Sequence, residues 1–200
     1  ALPVLLLGET GTGKGVFAQA IHKLGMTTNA PFVRFQPNFA GADLVSSELF
    51  GHTRGSFTGA STDRKGLLQE AHRGTLFLDE VDELPIQTQV MLLQALQEGS
   101  FRKLGANNEL NAEFRLIAAT NRPIKDSIKS NKMREDFYHR ISHISIEIPP
   151  LRERLEDIPL LVEHVIQRLS SQGEISVFAI SEVALAQLRT YNWPGNVREL

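Results

Sequence analysis

The stretch Gly8-Glu9-Thr10-Gly11-Thr12-Gly13-Lys14 constrains this chain more than any other. It follows Val4-Leu5-Leu6-Leu7, a short continuous apolar run, and precedes Val16, Phe17, Ala20, Ile21 and Leu24, which recur at helical spacing. An apolar run of that length, closed by glycines, predicts a buried parallel strand. Strand, glycine-rich turn with a terminal lysine, then helix is the context that a phosphate-binding loop requires. Glycines let successive backbone N–H groups turn inward around phosphate oxygens, and the helix N-terminus adds partial positive charge. Lys14 would reach the β- and γ-phosphates. The expected ligand is ATP, held by Gly8, Glu9, Thr10, Gly11, Thr12, Gly13, Lys14 and Gly15. At Gly15 the motif commonly has a Ser or Thr whose hydroxyl ligates Mg²⁺. Glycine has no side chain to offer, which leaves phosphate oxygens, water and Asp79 for the metal.

Thr75-Leu76-Phe77-Leu78-Asp79-Glu80 is a second informative stretch, an apolar strand finishing in two carboxylates. Asp79 suits Mg²⁺, and Glu80 suits the general base that orients the water attacking a γ-phosphate. The plainer use of such a pair is to cap the next helix. Thr120-Asn121 ends another apolar run at the sheet edge where ligands of open α/β sheets gather, so Asn121 is a candidate sensor of the γ-phosphate. Asp82 and Glu83 read as charges at a helix N-terminus.

Runs at 32–35, 76–78, 114–119 and 144–148 alternate with helical patterns, which predicts βαβ units and a parallel sheet. Pro149-Pro150 marks a change. Beyond it, 158–169 and 182–189 are helical by periodicity, 175–180 is a weak strand signal, and Trp193-Pro194-Gly195-Asn196 is a turn. The expected architecture is an α/β nucleotide-binding core over 1–150, a P-loop parallel sheet sandwiched by helices, and a small helical lid over 151–200. The 200 residues, 42% hydrophobic, suffice to bury a core, and a net charge of −2 does not favour non-specific nucleic-acid binding. With no cysteine, disulfides, thiolate zinc sites and cysteine nucleophiles are excluded. No apolar run approaches the roughly 18 residues of a spanning helix, and no membrane partner is expected. The start at a strand and the end in Val197-Arg198-Glu199-Leu200, a helix just begun, predict an excised domain without signal peptide, its lid truncated at the C-terminus.

Further pieces give the chain a family resemblance. Glu48-Leu49-Phe50-Gly51-His52 is followed by Gly55-Ser56-Phe57-Thr58-Gly59-Ala60. Residues 74–80 join Ala119-Thr120-Asn121-Arg122, Pro149-Pro150-Leu151-Arg152-Glu153-Arg154 and Trp193-Pro194-Gly195-Asn196-Val197-Arg198-Glu199-Leu200. Over nearly its whole length the chain resembles the AAA+ domain of bacterial enhancer-binding proteins, the activators of sigma-54 RNA polymerase. The most specific piece is Gly55–Ala60, which matches the signature G-A-F-T-G-A with serine in place of the first alanine.

The resemblance implies that Gly55, Ser56, Phe57, Thr58, Gly59 and Ala60 form the sigma-contacting tip of a loop at 51–62. Phe57 and Thr58 are expected to stand exposed, and Ser56 adds a hydroxyl on that exposed tip. Residues 101–114 would be a shorter insertion that moves with the first, turning at Gly105-Ala106-Asn107-Asn108. Arg134 and Arg140 match two arginines that such proteins insert into a neighbour's ATP site, a contribution on the order of 10³–10⁵ in rate. Read without the family, arginines in a charged helix are usually solvated. Arg198 matches the lid's sensor arginine. Arg152 and Arg154 are expected to pair with acids such as Glu156 and Asp157. Gly15 stands where these activators usually have glutamate. Gln36 takes the place of an asparagine that restrains the catalytic glutamate until the partner is engaged, and Asn38 could substitute for it.

The function so implied is that of a cytoplasmic, signal-responsive transcriptional activator. It is a hexameric ATPase, using ATP and Mg²⁺, that remodels sigma-54 RNA polymerase holoenzyme from closed to open promoter complex. DNA would be met only through flanking domains outside this chain. The alternative is an ATP-binding regulatory module of the same fold with slow hydrolysis or lost sigma-54 coupling, motivated by Gly15 and Gln36. A polymer-threading motor is disfavoured by the Phe57-Thr58 signature.

Overall fold

Four apolar residues in succession make β1 (Val4–Leu7), buried as a strand inside a sheet covered on both faces must be. The computed structural model describes residues 2–25, 30–37, 41–173 and 179–200. By contact the chain divides into two units, Ala1–Leu7 with Gly15–Ile146, and Gly8–Lys14 with Glu147–Leu200.

The first unit is built on a parallel sheet. β1 runs into α1 (Lys14–Lys23), followed by β2 (Phe32–Phe35) and α2 (Ala42–Phe50). The short strands β3 (Gly51–His52) and β4 (Arg64–Lys65) make an antiparallel pair before α3 (Leu67–Glu70) and β5 (Thr75–Leu78). Then come α4 (Ile86–Glu98), a hairpin of β6 (Ser100–Arg102) and β7 (Glu109–Asn111), and β8 (Arg115–Thr120). α5 (Ile124–Lys129), α6 (Glu135–Ile141) and β9 (Ile144–Glu147) complete it. The main sheet has the order β2-β5-β8-β1-β9. Its register sets Leu7 beside Thr120, Leu78 beside Ala118, and Phe35 beside Leu78, so the carboxyl ends of four strands lie along one edge. Leu5, Leu49, Phe50, Leu76, Leu116 and Phe137 pack in its core.

The apolar stripe of α1 lies on the other side from the one its periodicity suggests. Val16, Phe17, Ala20 and Leu24 are exposed, while Ala18 and His22 are buried. Close approach of helix to sheet selects small residues, and Gly15 and Ala18 supply them. His22 is compatible with that face because its Nδ1 and the buried Thr75 hydroxyl share a hydrogen bond of 2.8 Å.

In the second unit, the turns Leu151–Glu153 and Leu155–Asp157 precede α7 (Ile158–Ser171), α8 (Glu182–Thr190) and α9 (Asn196–Glu199). Its small core gathers Leu151, Ile158, Val162 and Trp193, with the indole N–H donating to the Leu188 carbonyl at 2.8 Å. Ser181 caps α8 by accepting from the Ala184 N–H at 3.2 Å. Of the weak strand signal at 175–180, residues 175–178 lie outside the described residues, and 179–180 are not strand.

Candidate functional site

The candidate phosphate loop, Gly8–Lys14, takes the backbone shape that its glycines permit, with positive φ at Gly8, Gly11 and Gly13. Space as well as torsion demands glycine at two of these. A Cβ at Gly8 would stand 2.7 Å from the Ile148 carbonyl oxygen, and one at Gly11 would collide with the Gly195 carbonyl. Lys14 is nearly buried, its ammonium donating to the carbonyls of Gly8 at 2.8 Å and Glu9 at 3.0 Å. The Thr12 hydroxyl also donates to the Glu9 carbonyl, at 2.8 Å.

The side chain of Glu9 faces the second unit's own residues. Its carboxylate accepts both arms of the Arg152 guanidinium, at 2.6 and 2.8 Å, and the Asn196 amide at 3.2 Å. The same amide nitrogen donates to the Thr10 carbonyl at 3.1 Å, while the Asn196 side-chain oxygen accepts from Leu151 N–H at 2.7 Å. The Arg152 hydrogen bonds, with help from Asn196, hold the Glu9 carboxyl down at about 2. Arg154 donates to the Thr12 carbonyl at 2.7 Å and lies 3.6 Å from Asp157. The expected pairing of the two linker arginines with local acids therefore holds for Arg154 alone. A bidentate fork finds a better partner in Glu9, 143 residues away in sequence. Arg198 is exposed, with its Cβ beside Gly11. A cleft of about 570 Å³ is lined by Gly8, Glu9, Ile148, Pro149, Arg152 and their neighbours.

The acidic strand end belongs to the first unit. Asp79 N–H continues the ladder to the Phe35 carbonyl at 2.9 Å, and its carboxylate accepts from Arg34 Nη2 at 2.7 Å. Glu80 has left-handed backbone, φ 55°, an unfavourable place for a residue other than glycine. Its carboxylate accepts from the Gln36 side-chain amide at 3.0 Å. Asn38 lies outside the described residues. Asp82 and Glu83 stand in the first turn of the short 3-10 helix Val81–Glu83, as expected, and Asp82 does more than carry charge there. It is 2% exposed in the turn Val81–Glu83 and accepts the buried Thr120 hydroxyl at 2.5 Å. Arg122 lies 3.6 Å from it and 2.6 Å from Glu83. Thr120 thus ties this turn to the end of β8, and Asn121 is exposed beside it.

As for metal, Asp79 is a hard oxygen donor, and no group of three ligating side chains occurs among the described residues. That donor set fits Mg²⁺, which keeps water and phosphate ligands and takes one or two carboxylates.

Loop 51–62 rises from the β3–β4 pair. Gly55 N–H donates to the Ala60 carbonyl at 2.8 Å and Ala60 N–H to the Phe57 carbonyl at 3.0 Å, closing the tip on itself. Thr58 and Gly59 are exposed, but Phe57 is only half so, its ring meeting His52 edge-on at 5.1 Å. His52 is in turn fixed by Ser47 at 2.7 Å. Ala60 is buried. The second insertion lies against this loop. Thr53 N–H donates to the Leu104 carbonyl and Leu104 N–H to that of Gly51, both at 3.0 Å. At Gly105 a Cβ would stand 2.7 Å from that of Ser56, whose hydroxyl oxygen is buried without a partner, so serine here is an inward residue.

Arg134 is the N-cap of α6 rather than a residue within a helix, and its guanidinium grips Asp136 at 2.7 and 3.0 Å. Its backbone N–H donates to the Gln89 side-chain oxygen at 2.9 Å. The Gln89 amide nitrogen serves the carbonyls of Leu84 and Lys132 at 2.8 and 2.7 Å, so this fully buried side chain staples the segment before α6. Arg140 folds back and donates to the Leu96 carbonyl at the end of α4. Arg34 and Gln89 belong to no sequence motif, and the motif residues Arg152 and Asn196 carry no sign in the sequence that Glu9 is their partner. A lone arginine in an otherwise apolar strand was the one available signal among them.

A sheet of this strand order, with its phosphate loop after the fourth strand in space and its carboxylates at the end of the second, defines the AAA+ class of P-loop domains. Comparison with known proteins gives the family within that class. The model of the Sigma-54 interaction domain matches residues 1–147, and that of an AAA+ ATPase lid domain matches 152–200. The chain belongs to the sigma-54 interaction domain family. It is 43% identical over 199 residues to the DNA-binding transcriptional regulator NtrC of Azospirillum brasilense, covering 100% of this chain and 41% of that protein. It is 45% identical over 197 residues to the transcriptional regulatory protein GlrR of Escherichia coli K12, covering 98% and 44%. The crystal structure of NtrX from Brucella abortus in complex with ADP superposes with a TM-score of 0.88 at 33% identity, over 99% of this chain and 43% of that one. The chain thus spans about two fifths of the length of the curated relatives it matches.

Proposed function

We propose that this chain is the ATP-hydrolysing motor of a sigma-54-dependent transcriptional activator, assembling as a hexameric ring and converting closed to open promoter complexes. The observation that carries the reading is loop 51–62, a hydrogen-bonded tip presenting Thr58 and clasped by a second hairpin, within a sigma-54 interaction domain. In this reading Gly8–Lys14 wraps the phosphates of ATP, Lys14 exchanging its carbonyl partners for phosphate oxygens, and Asp79 holds Mg²⁺. Bound there, Mg²⁺ supplies positive charge to the phosphate oxygens of the attacked group. Glu80 orients and deprotonates the in-line water, Asn121 senses the γ-phosphate, and Arg198 reports nucleotide state to the lid. Of the two trans-acting arginines, Arg134 is the better placed to serve a neighbour, since its guanidinium is on the surface while Arg140 is anchored on α4. A cytoplasmic location and DNA contact through other parts of the protein follow from the same reading.

Open-complex formation with sigma-54 polymerase tests it. Wild type should open the promoter with ATP, and Thr58→Ala should fail while still hydrolysing ATP. Equal opening by both proteins removes the loop from the mechanism.

A second reading, a slow-turnover regulatory module, is favoured by one observation: Arg34 and Gln36 occupy oxygens of both catalytic carboxylates. Steady-state hydrolysis across protein concentration separates the two. Cooperative activity that Glu80→Gln abolishes identifies the motor, and a flat background unchanged in that variant identifies the module.

A further inference from the structure

Arg34 stands in β2 opposite Phe77 of β5, and its side chain reaches past that ring to the carboxylate of Asp79. The guanidinium carbon is 5.7 Å from the Phe77 ring centroid, so the aromatic face supports the group that meets the acid. Space for it comes from Gly15. A Cβ there would lie 3.8 Å from Arg34 Nη1 and 3.8 Å from Phe77 Cε1. Alanine would just fit, and any longer side chain pointing that way would enter the volume that the guanidinium fills. The missing side chain at the end of the phosphate loop and the extra cation on β2 are therefore two halves of one arrangement.

We propose that Arg34 is a resident counter-cation of Asp79 which a divalent metal has to displace, making nucleotide binding by this chain weakly dependent on Mg²⁺. The proposal rests on the ATP reading above. Two arguments support it. First, a Mg²⁺ at about 2.1 Å from the Asp79 oxygen that accepts Arg34 Nη2 at 2.7 Å would set the ion against a like charge, so the metal is favoured there only once the guanidinium moves away. Second, a bare carboxylate beside bound phosphates repels them, and Arg34 neutralises Asp79 whether or not a metal is present. The exchange is sterically open, because the Arg34 side chain is 55% exposed and can swing into water while Asp79, at 15%, stays fixed by its strand.

The test compares wild type, Arg34→Ala and Arg34→Lys by titrating a fluorescent ADP analogue with Mg²⁺ and with EDTA. The ratio of the two affinities should be about two- to five-fold larger in Arg34→Ala, the range of a partly exposed ion pair, with Arg34→Lys between. Mn²⁺ titrated by electron paramagnetic resonance in the presence of ADP should half-saturate Arg34→Ala at a correspondingly lower concentration. Arg34 is exposed and outside the core, so both variants should fold. An unchanged affinity ratio, or weaker Mn²⁺ binding by Arg34→Ala, overturns the proposal while leaving the ATP reading intact. Failure of wild type and variants alike to bind the analogue overturns both.

Discussion

The side-chain amide of Gln36 donates to the carboxylate of Glu80 across 3.0 Å, joining the end of β2 to the turn that follows β5. The extra methylene of glutamine relative to asparagine does not prevent the contact. If this bond restrains the base, Gln36→Ala should raise partner-free ATP turnover by about two- to ten-fold, the worth of one net hydrogen bond of about 0.5–1.5 kcal/mol. Glu80→Gln should lower turnover by about 100-fold or more. Hydrolysis in Gln36→Ala equal to or below wild type would show that the amide is not a restraint.

The Glu9–Arg152 fork makes the lid's first turn a brace for the phosphate loop. Glu9→Gln and Arg152→Gln should each weaken nucleotide binding, seen as a raised KM at nearly unchanged kcat. The swap Glu9→Arg with Arg152→Glu should recover part of the loss. Its pH dependence has a definite sign. The Glu9 carboxyl falls from 4.5 to about 2 on folding, so its contribution is complete above pH 4.5 and fades as pH drops toward 2. Acid unfolding curves of wild type and Glu9→Gln should converge across that window.

Gln89 is the buried staple before α6, and all of its polar atoms are used. Gln89→Leu keeps the volume but strands the Leu84 and Lys132 carbonyls and the Arg134 N–H. A loss of about 2–4 kcal/mol is expected, read as a lower denaturation midpoint at constant slope. Unchanged stability would mean that water replaces the amide at no cost.

Gly105 meets Ser56 where the two insertions touch, with φ 75° and no room for a side chain. Gly105→Val should part the loops and reduce open-complex formation, while binding of a fluorescent ADP analogue is preserved. Promoter opening at the wild-type level would show that the clasp is dispensable.

Much of the architecture is legible from local chemistry. Val4–Leu7 and the run 76–78 read as buried strands because their side chains are all apolar, and the glycines between Gly8 and Lys14 announce their torsions. The face of α1 is not legible, because counting apolar residues favours Val16, Phe17 and Leu24 whereas close packing on a sheet favours Gly15 and Ala18. Asp82 reads correctly as a helix N-terminal charge, but its burial does not show, since its partners, Thr120 and Arg122, are remote in sequence. Glu9 and Arg152 illustrate the same limit, for ion pairing across the chain leaves no periodicity. Phe57 between glycines reads as exposed, and only the fold supplies His52 as the ring it rests on.

The left-handed backbone at Glu80 has an evolutionary consequence. Torsion there prefers glycine or asparagine, whereas the general-base role proposed for Glu80 demands a longer acid, so on that reading selection for stability and selection for turnover pull the position in opposite directions. Drift to glycine would relieve strain of about 1 kcal/mol and silence the motor in a single step. On the proposed reading, a descendant that abandons hydrolysis would therefore gain stability by replacing Glu80 with glycine.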